Sequence, residues 1–508
     1  MNKLTLFAAL DIGSSRLSMK IFQLDREADK ISVVEHCESN IAIGKETYNY
    51  GKISYEMTGE ICSCLESFKR IMKEYGVSNY ICYATSAVRE ASNSEYIRDQ
   101  IFIRTGLKVS IVSNEEERFL HHKALALNMS NFDDIIKDGA IIIDVSAGSL
   151  QVSSYENSEL KFSQNLPLGS LRIMELISGV NNSTIGFSRL LKEYTSNMLE
   201  IYQNSFFTNP KYKSIILIGS QTDNIKSALK LKDDTVVWER LEELYTELMD
   251  NGIYEFSDKY GFSNEESRQI MSSLLLYRPF AGNSEKKKIY MPTVDFTDGI
   301  CVEFAEKNKF THTKHIFTND IISSALYYAG RYNINLKHVN KTMEYCGEIF
   351  NALSKKFGLS KSDLILLKVA AIYANTGLYI NVNDYNVYSY NIKKSNMLLG
   401  LSNKDNDIIS FVVLFQNGIF EHEEYKYLTK SRKLQISKLS SILSLALALD
   451  FEYKQRIENI KVSLKNGEMI ITALTDSDIT MEQWKFEENE SFFEEVFGIQ
   501  ARLRIKNI

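Results

Sequence analysis

The stretch AIIIDVSAGSLQVSSY, residues 140–155, holds the pattern on which the fold of the first part of the chain depends. Its apolar run closes on Asp144, small residues follow, and an alternating segment then resumes. This pattern predicts a buried strand, a tight turn and a returning strand. The segment LFAALDIGSSRLSMKIFQLD, residues 6–25, repeats the pattern with Asp11 in the equivalent place. Two such units indicate an internal duplication.

The composition is typical of a multidomain globular protein. At 508 residues the chain is too long for one core, and a size of about 150 residues per domain predicts three or four domains. The formal net charge of −6 gives no general attraction to nucleic acid or acidic membranes, so an anionic ligand must be bound by local groups. We find no apolar run of membrane-spanning length and expect a cytoplasmic protein. The six cysteines lack paired metal-binding spacing and are expected to be reduced structural thiols.

Periodicity divides the chain into four predicted domains. Strands alternate with helices through residues 1–130 and again through 131–315, which predicts two related α/β domains. Residues 316–455 have almost wholly helical spacing and predict an all-α domain. Residues 456–508 contain two alternating runs around an Asn-Gly pair, then an acidic helix and a last strand, so we expect a small α+β domain there.

The two Asp-containing turns indicate phosphate chemistry. If they face each other across a cleft, Asp11 and Asp144 offer two carboxylates to a divalent cation, and the N–H groups of the turns can bind phosphate oxygens. Such turns are also common as plain structural turns, in which the Asp only fixes the local backbone. The duplication favours the functional interpretation.

A third segment, YATSAVREASN at residues 83–93, carries a candidate anion-binding group. A strand ends there in small hydroxylated residues, and Arg89 follows near the start of a helix. Helix-start N–H groups and a guanidinium together can bind an anion. The structural alternative is that Ser86 caps the helix and Arg89 is solvated.

A fourth segment, VSNEEERFLHHKAL at residues 112–125, contains candidate catalytic acids. We expect Asn114 to cap a helix whose first turn holds three glutamates. Acids at this place usually stabilise the helix dipole, but one carboxylate directed at the cleft can orient a water molecule for attack on phosphorus. The following His121 and His122 are expected on the surface.

Read in order, six strings resemble the motif series of the exopolyphosphatase / guanosine pentaphosphate phosphohydrolase (Ppx/GppA) family: LDIGSS, YATSAVREASN, IVSNEEERFL, IIIDVSAGS, NLPLGSLR and LIGSQT. The segments HVNKTMEYCGEIFNALSKKFGLS and LLKVAAIYANTG resemble its HD-type third domain, and the closing segment resembles the fourth. The resemblance implies a duplicated actin-like, ribonuclease-H-like fold. It also implies Mg²⁺ as cofactor, an inorganic polyphosphate or a guanosine polyphosphate nucleotide as ligand, and a homodimer.

The resemblance further implies roles for individual residues. Asp11 and Asp144 correspond to the two family aspartates near the metal and phosphates, and Arg89 to the phosphate-binding arginine. Glu117 falls at the water-activating glutamate if the motif is aligned without a gap, and Glu116 is one position away. The phosphate-binding turns correspond to Gly13 and Ser14 in the first motif and to Ala147, Gly148 and Ser149 in the second.

Several positions depart from the family pattern. Arg16 puts a bulky cation where a small residue is expected, and two glycines of the second turn are filled. Gln151 replaces a glutamate and cannot act as a base at neutral pH. Phe119 stands where an arginine is usual, and Gln221 replaces a glycine of the third turn. Each added Cβ obstructs the approach of the backbone to a phosphate.

The helical domain departs further. The expected His-Asp pair is Ala374-Asn375, so we expect no metal there and a packed or surface role for His338.

Three functions are therefore considered. The first is a magnesium-dependent phosphoanhydride hydrolase of the exopolyphosphatase type. The second is a relative that binds polyphosphate or a guanosine tetra- or pentaphosphate without hydrolysing it, as a sensor or scaffold, which the departures motivate. The third is a kinase-like member of the same superfold, although no glycine-rich adenosine turn is visible at 217–224. Neither nucleic acid nor a membrane is an expected partner.

Overall fold

The first Asp-containing hairpin forms the centre of a five-stranded mixed sheet in the computed structural model, which describes residues 4–178, 192–202, 212–281, 287–311 and 314–507. The strand order is β3-β2-β1-β4-β5, with β1 antiparallel to β2 and parallel to β4. We call this the first sheet, and its strands are β1 (Leu4–Ile12), β2 (Leu17–Asp25), β3 (Lys30–Ser39), β4 (Asn79–Ala84) and β5 (Val109–Ile111).

The second hairpin forms the centre of another mixed sheet, the second sheet. Its strands are β6 (Ala140–Val145), β7 (Leu150–Glu156), β8 (Glu159–Leu166), β9 (Ser214–Gly219), β10 (Thr235–Val236) and β11 (Lys288–Tyr290), in the order β10-β11-β9-β6-β7-β8. On one side of β6 lies β7, antiparallel to it, and then β8, antiparallel to β7. On the other side lie β9 and β11, each parallel to its neighbour, and β2, β3, β4 and β5 are arranged in the same way around β1. The two topologies match strand by strand, and β10 is an addition.

Helices surround these sheets. Those before the second sheet are α1 (Ile43–Tyr50), α2 (Tyr55–Glu74), α3 (Ser86–Glu90), α4 (Ser94–Thr105), α5 (Asn114–Asn128) and α6 (Phe132–Lys137). Those after β8 are α7 (Ser170–Ser178), α8 (described over 192–202), α9 (Thr222–Ala228), α10 (Trp238–Tyr260), α11 (Asn264–Ala281) and α12 (Phe296–Lys307). A helix is predicted around 183–204, and its parts outside 192–202 lie outside the described residues.

The helix α12 returns to the first sheet although it follows the second sheet in sequence. Its Phe296 and Ile300 belong to the same buried cluster as Phe7 of β1 and Leu120 of α5. Phe304 stacks on the Phe7 ring with 4.0 Å between ring centroids. The helices α5 and α12 therefore pack side by side against the first sheet and join the two halves of the unit Met1–Ile316.

The second unit, Phe317–Ile508, is mainly helical. Its helices are α13 (Phe317–Gly330), α14 (Leu336–Phe357), α15 (Lys361–Tyr373), α16 (Tyr385–Ser395), α17 (Asn403–Leu414), α18 (Glu423–Lys426), α19 (Lys430–Ala448) and α20 (Thr480–Phe497), with a short 3-10 helix at Thr376–Tyr379. Its sheet has the order β12-β13-β14, made of β12 (Asn459–Lys465), β13 (Glu468–Leu474) and β14 (Gln500–Lys506). The predicted hairpin turn is present, with positive φ at both Asn466 and Gly467. The four domain boundaries stay a prediction.

Among the helices that the structure describes, none combines the length and apolar character needed to cross a membrane.

The contact between α5 and α12 depends on a glycine. A Cβ added at Gly299 would collide with the backbone carbonyl of Leu120, which cannot move away as a flexible side chain can. Gly59, inside α2, is a matched contrast, because the nearest atom to its added Cβ is the end of the Arg104 side chain at 3.9 Å.

We predict that Gly299→Ala lowers the free energy of unfolding by about 1–3 kcal/mol or more, because the two helices must separate. Gly59→Ala should be neutral or stabilising by up to about 1 kcal/mol, since Ala is the better helix former. Urea titrations of the full chain followed by circular dichroism measure both. Equal stability of Gly299→Ala and wild type would show that α5 and α12 are not in this close contact.

Candidate active site

A cleft of about 80 Å³ lies where β1 and β6 end in their aspartates. Both hairpin turns line it, together with residues from α3, α5, the end of β9 and the start of α12. The predicted residues that line it are Asp11, Gly13, Ser14, Glu117, Asp144, Ala147 and Gly148. The structure thus brings together residues that are far apart in the sequence, and Arg89, Glu116 and Ser149 are not among the lining residues.

The two aspartates occupy equivalent places, each next to the last residue of its strand. Oδ1 of Asp11 and Oδ1 of Asp144 are both buried and have no hydrogen-bond partner among the residues that the structure describes. Burial is the main cause that raises the pKa of Asp11 well above its usual range, and the nearby Asp295 and Glu117 carboxylates add to it. Like charges in one cleft favour binding of a cation.

These oxygens fit a hard divalent cation. Mg²⁺ is usually bound through one or two carboxylates and completes its shell with water and substrate phosphate oxygens. Two buried carboxylate oxygens without partners, Oδ1 of Asp11 and Oδ1 of Asp144, supply such ligands. Asp11 and Asp144 are accordingly the residues that would hold Mg²⁺.

Glu117 is buried in the first turn of α5 and faces the cleft. Its Oε2 accepts a hydrogen bond from Arg89 Nη1 at 3.2 Å, while its Oε1 has no partner among the described residues. One carboxylate oxygen is thus held, and the other is available to a ligand or a water molecule.

Glu116 has a structural role instead. Ser113 Oγ accepts the Glu116 N–H at 3.2 Å, and the Glu116 carboxylate accepts the Ser113 N–H at 3.0 Å. This is a capping box, so Ser113 is the N-cap of α5 and the prediction of Asn114 is wrong. Asn114 is the first helical residue, because the Ser113 hydroxyl already accepts the Glu116 N–H at the start of the helix.

Both histidines lie in the interior, so the expectation of surface histidines is wrong. His121 lines the cleft, and its Nδ1 hydrogen-bonds to Asp144 Oδ2. Burial alone would lower the pKa of His121, but the Asp144 carboxylate, with Glu117 and Asp295, raises it to about 9. His122 is buried against Tyr155, whose hydroxyl is 3.0 Å from Nδ1, and burial followed by the Arg118 charge lowers its pKa to about 3.

Arg16, rather than Arg89, is the arginine that lines the cleft. It pairs with Glu38 at 3.1 Å and lies 3.7 Å from Asp295, and its side chain is 36% exposed. Arg89 lies behind Glu117, where it also donates to the Val112 carbonyl at 2.7 Å. The guanidinium that a ligand in the cleft would meet is therefore that of Arg16.

Asp295 is a cleft residue that sequence reasoning missed. It is the N-cap of α12, with Asp298 completing a capping box. Burial opposes ionisation of its carboxyl, but the Lys20 and Arg16 charges lower its pKa. The available signal was the Asp-x-x-Asp spacing in VDFTDGI ahead of an apolar helix, which predicts a helix start but no function.

The two turns expose backbone donors to the cleft. The Gly13 N–H is used within its own turn, by the Arg16 carbonyl at 3.0 Å. The N–H groups of Ser14, Ser15, Ala147 and Gly148 have no acceptor among the described residues. Ser149 closes the second turn, since its carbonyl accepts the Ser146 N–H at 3.0 Å.

The turns are also held against each other. Hydroxyls of Ser14, Ser86 and Tyr48 form a mutual cluster, with separations of 2.7–3.1 Å. A Cβ at Gly148 would collide with the Ser86 and Tyr48 hydroxyls. Arg172 donates to the Gly148 carbonyl at 2.7 Å and forms a bidentate pair with Glu90 of α3 at 2.6 and 2.7 Å.

Some departures from the expected motifs line the cleft, namely Arg16, Ser146 and Ala147, and others do not. Gln221 donates to Gln269 Oε1 at 2.8 Å, and Phe119 contacts Lys123 with 5.0 Å from Nζ to the ring centroid. Gln151 is buried beside the second turn, with its Oε1 unpartnered. Phe119, Gln151 and Gln221 are therefore not among the residues that line the cleft.

Known proteins with similar sequences include phosphatases. The bifunctional 3-dehydroquinate synthase/phosphatase of Fusobacterium nucleatum is 25% identical over 293 residues, which cover 56% of this chain and 39% of that protein. Exopolyphosphatase 1 of Mycobacterium tuberculosis is 27% identical over 165 residues, which cover 32% of this chain and 46% of that protein. The chain spans less than half the length of these two relatives. The guanosine-5'-triphosphate,3'-diphosphate pyrophosphatase of Pseudoalteromonas translucida is 20% identical over 436 residues, which cover 82% of each chain.

Solved structures with a similar fold include an exopolyphosphatase from Cytophaga hutchinsonii, with a TM-score of 0.52 and 16% identity over 61% of this chain and 100% of that chain. The Aquifex aeolicus Ppx/GppA family member has a TM-score of 0.50 and 17% identity over 60% of this chain and 99% of its own. At these identities the similarity shows the fold alone.

Two family models match the sequence. That of the Ppx/GppA phosphatase family matches residues 21–270, which include most strands of both sheets but not β1 or β11. That of Ppx/GppA phosphatase domain III matches residues 322–494, the helical region. The chain therefore belongs to the Ppx/GppA phosphatase family, as a distant member.

Proposed function

We propose that this protein hydrolyses a terminal phosphoanhydride bond, of inorganic polyphosphate or of guanosine pentaphosphate, with Mg²⁺ as cofactor. The names of the exopolyphosphatase and pyrophosphatase relatives support this substrate class. We also propose, from the resemblance alone, a cytoplasmic homodimer.

The proposal rests mainly on the four backbone N–H groups of Ser14, Ser15, Ala147 and Gly148, which lack acceptors among the described residues. They come from two turns that line one cleft. Backbone donors on opposite sides can bind the oxygens of a terminal phosphoryl group without any movement of side chains. The Arg16 guanidinium adds positive charge at the same cleft.

Glu117 is the residue we assign to the attacking water. Its Oε1 accepts a hydrogen bond from the water, and its Oε2 stays held by Arg89. As the water oxygen bonds to the terminal phosphorus, the bond from phosphorus to the bridging oxygen breaks and the water proton passes to Glu117. The bridging oxygen leaves with the shortened chain, and orthophosphate is the other product. Mg²⁺, held by Asp11 and Asp144, would neutralise phosphate charge when bound.

A second candidate is a protein that binds these phosphates without hydrolysing them. Gln151, buried beside the second turn, has replaced a glutamate and cannot accept a proton. His121 also occupies one oxygen of Asp144, which leaves that carboxylate with a single unpartnered oxygen. Tight binding without phosphate release would establish this function.

We predict that Glu117→Gln lowers the rate of orthophosphate release from long-chain polyphosphate by about 100- to 10,000-fold, because the amide cannot accept the proton of the water. Glu116→Gln is the matched control and should retain nearly wild-type activity, since a glutamine at this position can complete the same capping box. A colorimetric phosphate assay with Mg²⁺ measures both variants.

Two outcomes of this assay would count against the proposal. If Glu117→Gln keeps the wild-type rate, Glu117 is not the base. If the wild-type protein releases no phosphate while retaining the polymer in equilibrium dialysis, the second candidate is correct.

We also predict that substitutions of Arg16 and Arg89 change different kinetic constants. Arg16→Met should raise KM by about 10- to 100-fold, because it removes a charged contact to the substrate. Arg89→Met should mainly lower kcat, because Glu117 loses the group that holds it. Arg98→Met, on α4, is the control and should change neither value, since that arginine pairs only locally, with Glu95 and the Val109 carbonyl. If only Arg89→Met raised KM, Arg89 rather than Arg16 would be the phosphate-binding arginine, as the motif resemblance implies.

A further inference from the structure

The helical unit contains a separate cavity of about 180 Å³. Its walls come from the start of α14, the segment between α15 and α16, the ends of α17 and α19, and α20. Six of its lining side chains carry the argument: His338, Asn375, Tyr385, Gln416, Tyr453 and Lys485. None of them belongs to the cleft described above.

The His338 side chain forms one wall of this cavity. Asn375 Nδ2 lies 3.0 Å from His338 Nε2, and because an amide nitrogen can only donate, Nε2 is the acceptor. Nδ1 then carries the hydrogen and donates it to Asp450 Oδ2 at 2.8 Å. Asp450 is itself buried and accepts two more hydrogen bonds, from Gln455, at 2.7 and 3.1 Å. Both imidazole nitrogens are therefore engaged by the protein.

Gln416 presents an unused acceptor. Its side chain is buried, and Nε2 donates to the Ala374 carbonyl at 3.1 Å. This hydrogen bond fixes the orientation of the amide, because a carbonyl cannot accept from Oε1. Oε1 is buried and has no partner within the described part of the chain. A buried acceptor without a partner is unfavourable unless a ligand or water donates to it.

Aromatic rings form the adjoining surface. Tyr453 stacks on His338, with 4.0 Å between ring centroids and 27° between planes. Its backbone has φ of 60°, an unfavourable region for a bulky residue. Backbone strain of this kind persists where surrounding contacts hold it, and it is frequent at ligand sites. Tyr385 also lines the cavity.

The charge at the cavity is positive. Lys485 is the one lining residue with a formal charge at neutral pH, and it is about one third exposed. Its Nζ is 2.7 Å from Glu488 and 5.7 Å from the Phe451 ring centroid. A polar and aromatic interior with a partly exposed ammonium group suits a ligand that has a polar planar body and an anionic substituent.

We propose that this cavity binds a mononucleotide. The base lies against the Tyr453 and Tyr385 rings and donates an N–H to Gln416 Oε1, and its phosphate contacts Lys485. Amide groups and aromatic faces are the side chains that recognise unstacked bases, since they match both the polar edge and the planar face. This site is separate from the first cleft, where we propose that hydrolysis takes place.

Isothermal titration of the full chain with nucleoside 5'-monophosphates tests the proposal. These probes contain no phosphoanhydride bond, so the result does not depend on the proposed hydrolase activity. We expect saturable binding of at least one of GMP, AMP, UMP and CMP, and none of ribose 5-phosphate or inorganic phosphate at the same concentrations. Trp484, next to Lys485 in α20, provides a fluorescence readout of the same event.

Variants locate the site. Gln416→Leu should weaken binding by about tenfold or more, and Gln435→Leu, a partly buried glutamine of the same unit that bonds to Asp363, should leave it unchanged. Lys485→Met, at a position about one third exposed, should weaken nucleotide binding but not binding of the matching nucleoside. Arg16→Met in the first cleft should have no effect.

Three results would overturn the proposal. The first is that no monophosphate binds saturably, and the second is that ribose 5-phosphate binds equally well. The third is that Arg16→Met abolishes binding while the folded variants Lys485→Met and Gln416→Leu leave it unchanged. Circular dichroism of each variant establishes that it is folded.

Discussion

The close contact of the second turn, at Gly148, with Ser86 of α3 and Tyr48 of α1 determines the geometry on which the candidate active site depends. Hydroxyls of Ser86 and Tyr48 occupy the space that a Cβ at Gly148 would need. Arg172 fixes the same glycine from the other side through its carbonyl. Because the backbone of one half thus approaches hydroxyls of the other, the two Asp-ended strands meet at one narrow cleft, and free N–H groups from both turns face it.

Electrostatics explain why this cleft suits an anionic ligand together with a cation. The acids Asp11, Glu117, Asp144 and Asp295 all line it, while Arg16 and His121 supply positive charge. Burial and neighbouring carboxylates raise the pKa of Asp11, so its charged form requires a cation nearby. The Asp144 carboxylate is already paired with His121. A phosphate bound at the turns and a cation bound at the acids would therefore each favour binding of the other.

The sequence predicted the two sheets and the cleft between them because both depend on local patterns. An apolar run that ends in Asp11 or Asp144 before small residues predicts a strand and a turn wherever it occurs, and the repeat predicted that the turns are equivalent. The hairpin at Asn466 was predictable for the same reason, since its turn chemistry is local. The assignment of residues to the two α/β halves did not foresee that α12, predicted within 131–315, packs against the first sheet.

Other parts of the site depended on contacts that no local pattern reveals. Ser113 rather than Asn114 caps α5, a choice decided by one side-chain hydrogen bond. His121 and His122 are interior because they contact residues distant in sequence. His121 hydrogen-bonds to Asp144 of β6 and its ring contacts Phe296 of α12, and His122 hydrogen-bonds to Tyr155 of β7. Asp295 reaches the cleft because it caps α12, the helix that packs against the first sheet. The motif resemblance pointed to Arg89, but the direction of its side chain is set by Glu117 and Val112.

The most direct test of the central claim is a crystal structure of the Glu117→Gln variant with tripolyphosphate and Mg²⁺. We predict a terminal phosphoryl group between the turns, with its oxygens within hydrogen-bond distance of the N–H groups of Ser14 and Gly148. A tripolyphosphate bound elsewhere on the protein, with the cleft empty or closed by side chains, would contradict the account.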